Sequence, residues 1–98
     1  MIVIRIKLKV APSNKEALVS YLKSEVDSNK TLAGCLAYTL YQDVSEPDEL
    51  LLYEEWESMG LFDDYKNSKA FGEIMAKVFP LLKGKPDSAY FDSEIVGP

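Results

Sequence analysis

Between Asp48 and Ser58 the chain reads DELLLYEEWES, and this segment constrains the fold more than any other. Side chains alternate across a strand. As a strand from about Glu49 to Glu57 it puts Leu50, Leu52, Glu54 and Trp56 on one face and Leu51, Tyr53 and Glu55 on the other. Leucine and a large aromatic stand on both faces, so the sheet that contains this strand must be covered on two sides. Something polar must also meet Glu54, a carboxylate in line with two leucines and the only tryptophan of the chain.

The remaining elements follow from periodicity. A first strand runs from about Ile2 to Val10, with Ile2, Ile4, Ile6, Leu8 and Val10 on one face and Val3, Arg5, Lys7 and Lys9 on the other. Pro12 ends it, and the Ser13 to Glu16 spacing of a capping box predicts a helix start. Leu18, Tyr21, Leu22 and Val26 form the stripe of that helix. Gly34 precedes a second strand, CLAYTLYQD, with Leu36, Tyr38 and Leu40 on one face and Ala37, Thr39 and Tyr41 on the other. After the third strand, Ser58 caps a short helix carrying Leu61, Phe62 and Tyr65. A longer helix presents Phe71, Ile74, Met75, Val78, Phe79 and Leu82 until Pro80 kinks or ends it. DSAYFDSEIV is read as a fourth strand with Ala89, Phe91 and Ile95 inward.

The order β-α-β-β-α-β, its second α region split, is the ferredoxin-like pattern of an α+β fold: one four-stranded antiparallel sheet with its helices on one face. A chain of 98 residues holds one such domain, residues 1–98, and buries a modest share of its surface. Helices on one face leave the other apolar face bare, and a second copy of the sheet is the simplest cover. A homodimer is therefore expected.

Composition removes whole classes of function. A net charge of −5 argues against nucleic acid and against anionic membranes. No apolar run approaches the ~20 residues of a membrane span, and MIVIRIKLKV is too broken by charges for a signal sequence. The single cysteine, Cys35, makes no internal disulfide and reads as a small hydrophobe, so a cytoplasmic location is expected. Histidine is absent, which removes Ser-His-Asp and Cys-His catalysis, most zinc sites and histidine-ligated haem. Glu54, Glu55, Glu57, Asp63 and Asp64 lack the loop spacing of a Mg²⁺ or Ca²⁺ site and read as solvated surface, so no metal is expected.

Beyond these patterns, GCLAYTLYQDVSEPDELLLYEEWES and the following FDDYKNSKAF resemble the antibiotic biosynthesis monooxygenase family of dimeric α+β barrels. The resemblance covers nearly the whole chain. It implies a homodimer with an apolar pocket between sheet and helices. It also implies oxidation of a small phenol or hydroquinone to a quinone by molecular oxygen, with no cofactor. An electron-rich phenolate reduces oxygen itself; the protein binds it in a dry pocket, takes its proton and holds the anion. By that resemblance Trp56 lines the pocket and holds the substrate; Tyr38, Tyr53 and Tyr65 are candidate donors to its oxygen. Family members commonly carry a histidine near DDY or SKAF, where this chain has Tyr65 and Lys69. The haem-degrading branch uses an asparagine and a histidine where this chain has Ile6 and Met75, which speaks against haem.

Catalytic candidates are thus Trp56, Glu54 and Tyr65. Substrate-binding candidates are Tyr38, Phe62, Phe71 and Met75, the last with an adaptable thioether. Glu54 reads either as a general base whose pKa is raised by Leu52 and Trp56 or as a structural carboxylate paired with Arg5, the sole arginine. The alternative to an enzyme is a non-catalytic dimeric protein that binds a small apolar or aromatic ligand. A further one is an isomerase on the same fold, with Glu54 as the proton carrier.

Overall fold

A computed structural model describes residues 1–97 of the chain. In order they form β1 (Ile2–Lys9), α1 (Lys15–Asn29), β2 (Cys35–Gln42), β3 (Glu49–Trp56), α2 (Met59–Lys66), α3 (Lys69–Val78) and β4 (Asp87–Asp92). The strands make one antiparallel sheet in the order β2-β3-β1-β4. This is the ferredoxin-like α+β arrangement, with the helices packed over one face. No described helix is long and apolar enough to cross a membrane.

The core lies between that face and the helices. Ile4 and Leu8 of β1, Leu50, Leu52 and Trp56 of β3, Leu18, Leu22 and Val26 of α1, Phe62 of α2, and Ile74 and Val78 of α3 are all buried. Each is a position that the period of its element marks as apolar. On the opposite face Val3, Ala37, Thr39, Leu51, Tyr53 and Ala89 are only half-buried, and Leu36, Tyr41 and Phe91 are exposed. The asymmetry expected from the two-faced third strand is therefore present: one apolar face is covered and the other is open.

Several local expectations are corrected. No capping box forms at Ser13, because Pro12 starts a 3-10 turn, Pro12–Asn14, that takes Ser13 into it; α1 begins behind it with no side-chain cap. In β2 a bulge between Cys35 and Ala37 lets Cys35 pair with Trp56 and Tyr38 with Glu54. Leu36 is the extra residue and is exposed, so it does not share the buried face of Tyr38. The phase of β4 is opposite to that expected. Ile4 pairs with Tyr90 and Ile6 with Ser88, so Tyr90 and Ser88 lie on the helix side, whereas Phe91 pairs with Val3 on the open side. Ile95 lies beyond the strand and is 80% exposed. Pro80 does end the long helix, at Val78; the 3-10 turn Phe79–Leu81 then swings Phe79 out to 52% exposure and takes Leu82 off the helix stripe.

Ser58 and Ser68 cap α2 and α3, accepting from the backbone N–H groups of Leu61 and Phe71 respectively. The start of α2 presses Leu61 onto Gly34, which has φ of 83°. A β-carbon at Gly34 would stand 2.5 Å from Leu61 Cδ1. Gly34→Ala combines an unfavourable backbone conformation with a clash, so we expect a loss on the order of 2 kcal/mol in unfolding free energy. A urea titration of the variant beside the wild type checks this; an unchanged midpoint would show that the loop relaxes freely.

Candidate functional site

The helix face of the sheet does not close completely against the helices. A cavity of about 190 Å³ remains between β1, β3, β4 and α1–α3. Ile6, Leu52 and Glu54 form its floor on the sheet, Leu22 and Phe62 one side, and Phe71, Met75 and Val78 the opposite wall on α3. Phe79, Pro86, Ser88 and Tyr90 stand around its mouth at the β4 edge. Ligand pockets run to roughly 300–1,000 Å³, so the occupant of this one is small. It is also mostly apolar, with Glu54 as its single ionisable floor residue.

Glu54 is 1% exposed. Its partner is not Arg5, which lies on the open face with its guanidinium 5.2 Å from the centre of the Phe91 ring. The bond comes instead from its own strand: Trp56 Nε1 donates to Glu54 Oε1 at 3.0 Å. Alternation puts residues 54 and 56 on one face, so the tryptophan is within reach of the carboxylate it follows. Burial drives the Glu54 pKa up to about 7 and the indole bond opposes the rise. A carboxyl poised near neutrality in a small apolar cavity can take or give a proton at physiological pH.

Behind Glu54 the aromatic side chains form a connected wall. Trp56 stacks on Tyr65 at 5.2 Å between centroids and meets Phe62 edge-on at 5.7 Å. Tyr65 in turn meets Phe71 at 5.3 Å. The Tyr65 hydroxyl lies 3.2 Å from the Tyr38 hydroxyl and accepts from Asn29 Nδ2, also at 3.2 Å. Burial raises both phenol pKa values, that of Tyr65 to about 12, and the charge on Glu54 adds to the effect on Tyr38. Both phenols are therefore neutral hydrogen-bond donors across the physiological range.

Of the residues singled out in the sequence, Glu54, Phe62, Phe71 and Met75 come together around the cavity. Trp56 and Tyr65 stand behind it and border a second depression of about 300 Å³ with Asn29, Asp64 and Ser68. Tyr38 lines neither cavity; its hydroxyl is engaged with Tyr65. Three participants were not anticipated: Asn29, Ser88 and Tyr90. Asn29 follows Val26 by three residues on the stripe of α1, which is the signal that places it inward. Ser88 and Tyr90 carried no such signal, because the phase of β4 is set by its pairing with β1. Among the described residues no group of three or more His, Cys, Asp or Glu side chains is placed to hold a metal ion.

Comparison with known proteins places this geometry in context. The family model for antibiotic biosynthesis monooxygenases matches residues 1–77. A Bacillus subtilis protein provisionally named as a monooxygenase is 26% identical over 87 residues, covering 89% of this chain and 92% of its own. An uncharacterised Synechocystis protein is 28% identical over 85 residues, 87% of this chain, which spans 57% of that longer relative. Among solved structures, a Deinococcus radiodurans protein, described with the same reservation as an antibiotic biosynthesis monooxygenase, superposes with a TM-score of 0.93 at 16% identity, covering 100% of this chain and 97% of its own. A conserved protein of Methanosarcina mazei superposes with a TM-score of 0.90 at 25% identity, covering 95% and 92%.

The titration of Glu54 has a consequence for stability. Its pKa is about 7 when folded against an ordinary 4.5, so between these values the folded chain holds a proton that the unfolded chain has released. That stabilisation is complete below pH 4.5 and is lost as pH rises through 7. We expect this residue to contribute a loss on the order of 3 kcal/mol across that window, which Glu54→Gln removes. Urea midpoints for both proteins between pH 5 and 8 measure it; parallel pH profiles would exclude a buried, titrating Glu54.

Proposed function

Because the chain belongs to the antibiotic biosynthesis monooxygenase family, we propose that it is a monooxygenase that oxidises a small phenol- or hydroquinone-type aromatic with molecular oxygen and no cofactor. The observation that carries this reading is Glu54: a carboxyl buried at the floor of an apolar cavity and held by Trp56 Nε1, with burial pushing its pKa up to about 7.

In this reading the aromatic ring lies between Phe62, Phe71 and Met75 with its hydroxyl toward Glu54. Glu54 accepts the hydroxyl proton, and the phenolate so formed is electron-rich enough to reduce oxygen. One oxygen atom bonds to a ring carbon; the other leaves as water with the hydroxyl proton and the hydrogen of that carbon, so phenol and O2 become quinone and water. The dry apolar walls raise the energy of the phenolate and so favour electron transfer from it. Trp56 is a positioning residue, since its N–H is already given to Glu54; Tyr65 braces Trp56 from behind, and Tyr38 in turn holds Tyr65. The proposal includes a cytoplasmic homodimer in which the open sheet faces cover one another, and the half-buried Leu51 and Tyr53 support that pairing.

Two measurements test this. Light scattering should give twice the 11.0 kDa of one chain, and a monomer would remove the dimer from the proposal. Oxygen uptake by the purified protein with hydroquinones and dihydroxynaphthalenes should exceed the spontaneous rate and rise with pH through about 7, as the base deprotonates. Glu54→Gln should lower the rate by about 10²–10⁴-fold, and Trp56→Phe should move the rising limb to higher pH. A folded protein that binds these aromatics without consuming oxygen would be a binding protein, the competing reading.

A further inference from the structure

The inner cavity does not end at its mouth. Phe79, Pro86 and Ser88 line both it and a broader outer groove, of about 500 Å³, that continues over Gly84 and Lys85. Phe79 is the shared wall, and it is left 52% exposed by the turn that follows α3. An apolar ring at the junction of two connected cavities is positioned for contact with a ligand that passes from one to the other. The distance involved follows from the sheet register. Glu54 and Tyr90 both pair with Ile4, so they face the helices two strand spacings apart, about 10 Å. A ligand whose reacting hydroxyl meets Glu54 and whose far end reaches the mouth is longer than one aromatic ring.

The chain carries a net charge of −5, yet the one charged side chain that lines the outer groove is a lysine. Lys85 lines the outer groove, and Lys66 at the end of α2 lies 5.2 Å from the centre of the Tyr90 ring. Of the carboxylates of β4, Asp87 stands opposite Lys7 on the open face of the sheet, whereas Asp92, opposite Ile2, shares the helix-side face with Tyr90. Ser88 adds a hydroxyl to the same rim.

We propose that the substrate of this site carries, at the end away from its reacting hydroxyl, an apolar extension along Phe79 and Pro86 that ends in an anionic group at Lys85. This deepens the functional reading above and rests on it, since it takes Glu54 as the end at which the reaction occurs. A carboxylate on a second ring or on a short aliphatic arm has the required chemistry.

The test is anaerobic calorimetric titration, which reads binding without turnover. The probes are phenol, para-phenylphenol and the para-phenylphenol bearing a carboxylate at its far para position. We expect para-phenylphenol to bind more tightly than phenol and the carboxylate to bind up to about fivefold more tightly still, since exposed ion pairs contribute modestly. The carboxylate's advantage should vanish in the Lys85→Ala variant and shrink at high salt. Phe79→Ala, at an exposed position, should cancel the advantage of para-phenylphenol over phenol. Equal affinity for all three probes overturns the extension and its anionic end while leaving the phenol site standing. No binding of any probe to the folded protein overturns both.

Discussion

A carboxyl that is 1% exposed, with a single hydrogen bond from an indole, governs most of what surrounds it. Burying a carboxylate among apolar side chains is costly unless several donors solvate it. One indole N–H is too few, so Glu54 holds its proton up to about pH 7. The same indole is also a structural hub. Stacked on Tyr65 and edge-on to Phe62, it ties β3 to α2; through Tyr65 the contact extends to Phe71 of α3, Tyr38 of β2 and Asn29 of α1. Placing the carboxyl and assembling the aromatic wall are thus parts of one packing arrangement.

That arrangement sets the division of labour around the cavity. The polar atoms of Tyr38, Tyr65 and Asn29 satisfy each other behind the wall, so they present no charge to the cavity. What faces it is hydrocarbon and ring surface, with Glu54 as the ionisable exception at the floor. At the β4 edge the character reverses to hydroxyls and a lysine. Under the proposed function, a cavity graded in this way orients an amphipathic ligand before any chemistry occurs.

The open face of the sheet follows from the same strand. Because side chains alternate, the residues that place Glu54 and Trp56 inward also place Leu51 and Tyr53 outward. The helices are all committed to the inner face, and nothing within the described residues covers the outer one. In the proposed dimer a second sheet covers that surface.

Most of the fold was legible in the sequence because alternation and helical spacing are local properties: the element order, the inward leucines of β3, the Ser58 cap and the break at Pro80 are all of this kind. So was the conflict at Glu54, although not its solution. Tertiary structure decided what depends on pairing between distant segments. The bulge at Leu36 and the phase of β4 are set by the strands they pair with. The short turn at Phe79–Leu81, rather than the apolar period, sends Phe79 outward. Likewise, Trp56 and not Arg5 meets Glu54, because the arginine is an odd-numbered residue of β1 and faces the other side of the sheet. A sequence fixes which side chains share a face of their own element; which faces meet, and what gap is left between them, is settled only when the elements pack.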